Sequence, residues 1–406
     1  ANFNGQLGNG SVVQSNRPVD ITEAFGFRFL ERITAIGTGF NQSYLATSRG
    51  RVYGWGTNRY GQFGEPSDDK LVPFLLPTDI FGDYVVSISG GMYHMAMVTQ
   101  RGRVFTAGLT EEGLLGDGGT YLNENTRNYI EITHNFNLDK NDKIIKVGTS
   151  KTNTYALSAS GKIYGFGNSA AQNIPQYLDE SLVYNIESYL ELADGETIIK
   201  IEQGNSFNAK HYVLLTSNNR VFAWGTNSYG QLGYSLDNYE LVPFEITNQL
   251  YYDFNEKIID VAANSYSTSL VTETGKLILF GLNNSLGENG EPIRTSKLKP
   301  TDVTEYFNFG TYEVIIKVVM LEDRSYVLTN QNQLYAWGRN QFGYLGDGSS
   351  TDRLTPVNIT AHFGFATDES IVDFQRTESD CFILTSKNRL FTFGSGYGYI
   401  SGDGTN

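Results

Sequence analysis

Residues 52–64 read Val52-Tyr53-Gly54-Trp55-Gly56-Thr57-Asn58-Arg59-Tyr60-Gly61-Gln62-Phe63-Gly64. A β-type run ends in an aromatic-Gly pair, and a Gly-rich turn follows. The phrase returns as Val221-Phe222-Ala223-Trp224-Gly225-Thr226-Asn227-Ser228-Tyr229-Gly230-Gln231-Leu232-Gly233. It returns again as Leu334-Tyr335-Ala336-Trp337-Gly338-Arg339-Asn340-Gln341-Phe342-Gly343-Tyr344-Leu345-Gly346. Aromatic and β-branched residues closed by Gly and Asn predict a strand running into a turn. The terminator alone, an aromatic-Gly or Ala-Gly pair, recurs at Gly56, Gly108, Gly167, Gly225, Gly281, Gly338 and Gly394. The intervals are 52, 59, 58, 56, 57 and 56 residues. Seven copies at so constant a period predict a repeat architecture.

Each copy keeps one internal order. The Gly-rich box leads into an extended stretch with Pro, as in Leu71-Val72-Pro73, Leu241-Val242-Pro243 and Leu354-Thr355-Pro356-Val357. Then comes a run of Ile-Ile-x-Val type: Ile33–Ile36, Val85–Ile88, Ile144–Val147, Ile198–Ile201, Ile258–Val261, Ile315–Val318 and Ile371–Phe374. A short loop leads to a second run, such as Tyr44–Thr47 or Tyr326–Thr329. A tight turn (Ser48-Arg49-Gly50, Glu273-Thr274-Gly275, Ser386-Lys387-Asn388) feeds the run that ends at the next terminator. Gly or Asn there supplies the positive φ of a hairpin. Three or four short antiparallel strands make one blade, which cannot bury both faces alone; seven close into a ring. The fold class is therefore all-β, a seven-bladed β-propeller spanning residues 1–406 as a single domain. The terminator glycines are expected where backbones crowd near the centre.

The ordered boxes Gly-x-Asn-x-Tyr-Gly-Gln-Leu-Gly, Pro, Ile-x-x-Val-x-x-Gly, Leu-x-Thr and Gly-x-Val-Tyr-x-Trp-Gly resemble the regulator of chromosome condensation (RCC1) repeat. The resemblance covers essentially the whole chain and implies a seven-bladed propeller. Some copies are worn: the third box is Gly113-Leu114-Leu115-Gly116-Asp117-Gly118, the fourth is reduced to Asn168–Pro175, and the sixth is shortened to Asn284-Ser285-Leu286-Gly287. The chain begins inside a box, Asn4–Gly10, and ends inside another, Gly394–Gly404. That makes eight box positions for seven blades. One terminal box is expected to complete a blade shared by both termini, and the other to be surplus.

The chain has 406 residues, 40% of them hydrophobic and 13% aromatic, which suffices for a large core. Its formal charge of −14 disfavours phosphate-backbone contact, so nucleic acid is not expected as a direct ligand. No apolar run reaches the length of a membrane span. The single cysteine, Cys381, stands in an apolar run and is expected to be a buried thiol. The start at Ala1, without Met or an apolar leader, is read as a processed or excised form. This start, with the Asn-, Ile- and Tyr-rich character, leans toward a bacterial exported or cell-surface protein rather than a cytoplasmic or nuclear one. A monomer is expected.

No catalytic constellation and no metal or cofactor motif is present. The four histidines, His94, His134, His211 and His362, fall in different copies without ligand spacing and are expected on loops or the surface. The Asp-Gly pairs at Asp117, Asp347 and Asp403 lack the ligand density of a calcium loop and are read as turns. The three tryptophans share one repeat position, which marks them as packing residues. Plant ultraviolet-B photoreceptors, which share this repeat, use clustered tryptophans on a propeller face, and this chain has no such extra set.

Variation concentrates in the loop after the Ile-Ile-x-Val run. From the last apolar residue to the closing Thr or Ser is 11 residues in six copies and 15 in the fourth, between Ile201 and Thr216. The framework repeats while the loop tips diverge. The candidate partner-binding residues are Phe40, Asn41, Tyr93, His94, Phe207, Asn208, His211, Tyr266, Asp323, Arg324, Glu378 and Asp380. Aromatics on polar loops are the anchors a protein-binding face uses. Within the family, bacterial β-lactamase-inhibiting propellers resemble this arrangement. The expected function is a non-catalytic scaffold that binds a protein through this ring of loops. The alternative is guanine-nucleotide exchange on a small GTPase, the activity of the family's founding member, although neither the 119–143 stretch nor the worn fourth copy matches a wedge for that task.

Overall fold

A computed structural model describes residues 4–13, 15–64, 68–77, 83–110, 113–119, 129–167, 183–186, 190–204, 211–233, 239–248, 250, 256–283, 295–321, 323–376 and 380–394. The chain forms seven four-stranded antiparallel sheets. β1 (Ser15–Asp20) comes first and joins the last sheet. The first complete sheet is β2 (Ile33–Thr38), β3 (Gln42–Thr47), β4 (Val52–Gly56) and β5 (Lys70–Leu75). The second is β6 (Val85–Gly90), β7 (His94–Thr99), β8 (Val104–Gly108) and β9 (Ile130–Glu131). The third is β10 (Ile144–Thr149), β11 (Asn153–Ser158), β12 (Ile163–Gly167) and β13 (Tyr184–Asn185). The fourth is β14 (Ile198–Gln203), β15 (His211–Thr216), β16 (Val221–Thr226) and β17 (Tyr239–Glu245). The fifth is β18 (Ile258–Ala263), β19 (Ser267–Thr272), β20 (Leu277–Asn283) and β21 (Thr295–Asp302). The sixth is β22 (Ile315–Met320), β23 (Arg324–Thr329), β24 (Leu334–Gly338) and β25 (Arg353–Asn358). The seventh is β26 (Ile371–Arg376), β27 (Asp380–Thr385) and β28 (Leu390–Gly394), completed by β1.

The Ile-Ile-x-Val runs are the first strands of the sheets. Successive ones touch (β2 with β6, β6 with β10, β14 with β18, β18 with β22, β26 with β2) and line an axial cavity of about 770 Å3. The Pro-bearing stretches are the fourth, outermost strands. Pro73, Pro243 and Pro356 lie in β5, β17 and β25, whose outer edges have no ladder partner to lose. Each sheet thus runs from one Ile-Ile-x-Val run to the next Pro stretch. A copy counted from box to terminator straddles two sheets.

That offset explains the closure. The N-terminal stretch is the outer strand of the last sheet, with Ser15 opposite Gly394, Val19 opposite Thr392 and Asp20 opposite Phe391. Ile21 N–H donates to the Leu390 carbonyl at 3.0 Å, and the Asp20 carboxylate meets Arg389 Nε at 2.8 Å. The seam is packed like the other inter-sheet contacts: Trp55, Ile36 and Leu45 share one buried cluster with Phe382 and Leu390.

The N-terminal box also fills a seat. In other sheets the last box glycine lies against the terminator aromatic of the next sheet: Gly116 on Phe166, Gly233 on Phe280, Gly346 on Phe393. Gly8 takes this position on Trp55, where a Cβ would stand 2.8 Å from the indole Nε1. Trp55 Nε1 donates to the Gln6 carbonyl at 2.8 Å. The eight-box puzzle resolves in favour of the N-terminal copy. The C-terminal box after Gly394, with Asp403, lies outside the described residues, as do the boxes at 168–175 and 284–287.

The terminator glycines do approach another backbone closely, but not at the propeller centre. They lie at or within two residues of the end of the third strand, two strands outward. All seven have positive φ, from 94° at Gly56 to 127° at Gly108. A Cβ on Gly56 would lie 2.2 Å from the Asn41 carbonyl oxygen, and one on Gly108 2.3 Å from that of Tyr93. The hairpin turns carry the expected positive φ on Gly50, Gly102, Gly161, Asn219, Gly275, Asn332 and Asn388. Within the boxes, the Asn58, Asn227 and Asn340 side-chain carbonyls accept from the backbone N–H of Phe63, Leu232 and Leu345 at 2.8–2.9 Å. These buried amides are why Asn recurs in the phrase.

A further repeated device lies at the start of the inner strands. Glu31, Glu196, Glu313 and Glu369 are all at most 8% exposed. Three have an arginine at the head of the third strand: Arg51 on Glu31 (2.6 Å), Arg220 on Glu196 (2.8 Å) and Arg389 on Glu369 (2.9 Å). In the sixth sheet Gln333 stands in that arginine's place. Glu313 is held by the Gly310 N–H (2.8 Å) and the Thr329 hydroxyl (2.9 Å), bonds that Glu196 also accepts from the Ala193 N–H and the Thr216 hydroxyl.

Candidate protein-interaction face

Where both are described, the loop between first and second strands and the Gly-rich box emerge at the same end of a sheet, because the second strand starts opposite where the third ends. Gln42 pairs Gly56, His94 pairs Gly108, and Arg324 pairs Gly338. The loop carbonyls of Asn41, Tyr93, Tyr266 and Asp323 accept from Thr57, Leu109, Leu282 and Arg339, each at 2.9 Å. In these sheets the loop is therefore tied to the residue that follows the third-strand glycine.

The candidate residues divide by burial. Tyr93 and Tyr266 are half-buried, and each meets a box tyrosine from the preceding sheet. Tyr60 and Tyr93 are edge to face at 4.9 Å, and Tyr229 and Tyr266 at 5.4 Å. Tyr60 and Tyr229 are half-buried too. These two partners were missed from sequence because they sit inside the framework phrase, whose recurrence drew the eye to its turn residues. Asn41 is half-buried and its amide oxygen accepts from Gln6 Nε2 at 3.2 Å. Asp323 is half-buried between Arg324 (2.9 Å) and Arg339 (3.5 Å).

Four candidates are not surface anchors or surface charges. Phe40 is 7% exposed, lies under Lys151 Nζ at 5.2 Å, and its N–H reaches the Gly91 carbonyl of the next sheet. His94 and His211 are fully buried, which corrects their assignment to loops and the surface. They are the first residues of β7 and β15, a position whose side chain crosses to the neighbouring sheet. His94 Nε2 and the Thr154 hydroxyl are 2.9 Å apart, as are His211 Nε2 and that of Thr268. The preceding Gly91 and Gly204 leave room for the rings, since a Cβ there would lie 2.2 Å from His94 Cε1 and 2.6 Å from His211 Nδ1. Burial pushes the imidazoles down to about 4 for His94 and about 3 for His211. Arg324, at the same strand position, is 3% exposed and stacks its guanidinium 4.0 Å over the Tyr344 ring. Asp380 heads β27, but its side chain, with Phe207, Asn208 and Glu378, lies outside the described residues. The remaining histidines, His134 and His362, are exposed on 3-10 turns, as expected.

The tryptophans, the cysteine and Asp347 stand where the sequence suggests. Trp55, Trp224 and Trp337 are at most 2% exposed, and Cys381 is 1% exposed. Asp347 is turn chemistry, accepting from Ser349 N–H (2.9 Å) and Asn340 Nδ2 (2.9 Å) and pairing with Arg353 (2.7 Å). Among the described residues there is no group of three or more His, Cys, Asp or Glu that could hold a metal ion, and no helix long and apolar enough to cross a membrane.

Two sequence profiles of the regulator of chromosome condensation (RCC1) repeat match this chain, one at residues 33–62 and 206–231, the other at 49–98 and 331–373. Those matches fall on strands of the first, second, fourth and sixth sheets and the start of the seventh, and on the boxes after β4, β16 and β24. The chain carries RCC1-type repeats in a seven-bladed propeller. Among solved structures, this RCC1-repeat propeller is similar in fold to human WBSCR16 (TM-score 0.71, 19% identity, 91% of this chain and 88% of that one). It is also similar to yeast RCC1 (Prp20) bound to Kap60 (TM-score 0.65, 17% identity, 89% and 80%). In sequence it is 30% identical over 235 residues to the ultraviolet-B receptor UVR8 of Arabidopsis thaliana, covering 57% of this chain and 49% of the receptor. It is 24% identical over 370 residues to the E3 ubiquitin-protein ligase HERC2 of Mus musculus, covering 89% of this chain and 7% of the ligase. The RCC1-repeat chain thus spans about half of the first relative and a small part of the second.

Proposed function

We propose that this propeller is a non-catalytic scaffold that binds another protein through the loop-and-box face. One observation carries the proposal: two tyrosine pairs, Tyr60–Tyr93 and Tyr229–Tyr266, recur at the same inter-sheet position, each ring half-buried. A half-buried aromatic with its ring held by a neighbour offers large contact area at little loss of side-chain freedom. The surrounding polar loops suit the rim of an interface. Relatives built from the same repeat include yeast RCC1, solved as a complex with another protein, Kap60.

The test is capture from an extract of the source organism, with wild type beside a variant carrying Tyr60→Ala, Tyr93→Ala, Tyr229→Ala and Tyr266→Ala. A protein retained by wild type and lost from the equally stable variant supports the reading. Identical captured sets would remove it. If the tyrosine-dependent protein is a small GTPase, release of labelled GDP distinguishes exchange from simple binding.

A further inference from the structure

The axial cavity is separate from the tyrosine pairs and has a chemistry of its own. In all seven sheets the ladder between first and second strands skips at the same place, after residue one of the inner strand: Ile144/Lys146 in β10, Ile198/Lys200 in β14, and equivalently elsewhere. Such a bulge re-aims the side chains beside it. Two consecutive residues thereby gain access to open space. In β10 these are Ile145 and Lys146, both exposed, and in β14 Ile199, 48% exposed, followed by Lys200. An aliphatic side chain is followed in each by a cation one residue further along the channel.

The other lysines at this level are engaged. Lys200 pairs with Asp260 at 2.7 Å and Glu202 at 3.4 Å, and Lys317 pairs with Asp373 at 3.1 Å. Among the described residues, the Lys146 ammonium has no hydrogen-bond or ion-pair partner. Its surroundings are open. The neighbouring strands present the small side chains Ala35, Ser87 and Ser89 to the same cavity. Gly148, two residues on from Lys146, also lines it, and a Cβ there would meet nothing within 4 Å.

We propose that this side of the channel binds a carboxylate at Lys146, carried by a ligand whose aliphatic portion lies against Val86, Ile145 and Ile199. The unpaired ammonium can donate a charge-assisted hydrogen bond to a carboxylate, while contact with the apolar channel wall favours a ligand that also carries an aliphatic portion. Ile145 is one residue, about 3.3 Å, from Lys146 along the strand, so head and tail contacts fall within one short molecule. The chain's net charge of −14 acts against anion approach only at long range, where salt screens it within about 8 Å at physiological ionic strength. The carboxylate could come from a free aliphatic acid or from a peptide C-terminus ending in an aliphatic residue.

The probe is octanoate, titrated calorimetrically at physiological ionic strength into the full chain. Acetate (head without tail) and octylamine (tail with the opposite charge) are the controls. Lys146→Met keeps the stem and removes the charge; Gly148→Leu fills the empty volume. Saturable octanoate binding that weakens at least tenfold in both variants, with melting temperatures unchanged, and exceeds both controls at least tenfold, is the expected result. If Gly148→Leu does not fold, Lys146→Met carries the test alone, since its side chain has no partner to lose. No saturable binding by wild type, or binding by Lys146→Met within twofold of wild type, overturns the proposal. A hexapeptide ending in Leu, compared as free acid and amide, separates the two sources of the carboxylate.

Discussion

His94 and Thr154 hold the second and third sheets together through a 2.9 Å hydrogen bond in which the imidazole is fully buried. Its counterpart, His211 with Thr268, joins the fourth and fifth sheets. Gln42 holds the same strand position in the first sheet and donates to the Gly91 carbonyl of the second at 2.6 Å. The position requires a buried polar side chain that reaches across, and Gln meets that requirement without titrating.

A pH dependence follows. Both imidazoles titrate near 6.5 when unfolded and are pushed by burial to about 4 and about 3 when folded. The unfolded state therefore binds more protons between these values, so stability is full above about pH 6.5 and falls as pH drops toward 4. Each histidine is expected to remove on the order of 2–3 kcal/mol by pH 4. The double variant His94→Gln, His211→Gln should be within about 1 kcal/mol of wild type at pH 7.5 and lose much less between pH 6.5 and 4. Urea denaturation across this range checks it. Parallel pH profiles for wild type and variant would be the contrary result.

Glu313 supplies a gain-of-stability test. Its three counterparts pair with arginine, and Gln333 takes that arginine's place here. Gln333→Arg should stabilise the protein by about 0.5–2 kcal/mol, because the new guanidinium meets a carboxylate already buried and held. Arg51→Gln should cost about 1–3 kcal/mol by leaving Glu31 buried without its counter-charge. Burial pulls Glu31 upward, but bonds from Arg51 and the Arg28 N–H outweigh it and hold the carboxyl at about 2. That contribution is present above about pH 4.5 and is lost as pH falls toward 2. Paired thermal melts at pH 7 and pH 3 should show the Arg51→Gln deficit shrinking in acid.

The fold was legible because its signals repeat. Seven terminators, seven hairpin turns and seven inner strands are local features, and each states its own geometry in Gly, Asn or a β-branched run. The tyrosine pairs were half legible: Tyr93 and Tyr266 stand out on divergent loops, while Tyr60 and Tyr229 are hidden in the conserved-looking phrase. His94, His211 and Arg324 were misplaced for a different reason. They lie beside the loop tips, but they are already strand residues, and a strand side chain that crosses between sheets leaves no periodic trace. The Glu–Arg clamps were invisible because their partners lie about 20 residues apart and meet only through the sheet's hairpin. The charge layer of the channel likewise depends on neighbouring sheets.

The N-terminal seat on Trp55 can be tested by crowding it. Gly8 has φ +68°, and its Cβ would collide with the indole at 2.8 Å, whereas Gly10 has φ +76° and its Cβ would touch only Val72 Cγ1 at 3.5 Å. Gly8→Val should cost about 2–4 kcal/mol, combining left-handed strain with overpacking, and Gly10→Val only about 1–2 kcal/mol, the strain alone. In Gly8→Val, amide exchange along β1 and β28 should rise more than in the rest of the protein. Equal losses in the two variants would mean that the box does not lock the seam.

The most direct test of the binding face is the dissociation constant of the partner captured by wild type, measured for wild type and for each tyrosine pair separately. The Tyr60→Ala, Tyr93→Ala variant and the Tyr229→Ala, Tyr266→Ala variant should each weaken binding at least tenfold while melting within about 2 °C of wild type, since hot-spot aromatics typically contribute 2 kcal/mol or more. Constants within twofold of wild type for both variants would contradict the account and move the interaction away from the loop-and-box face.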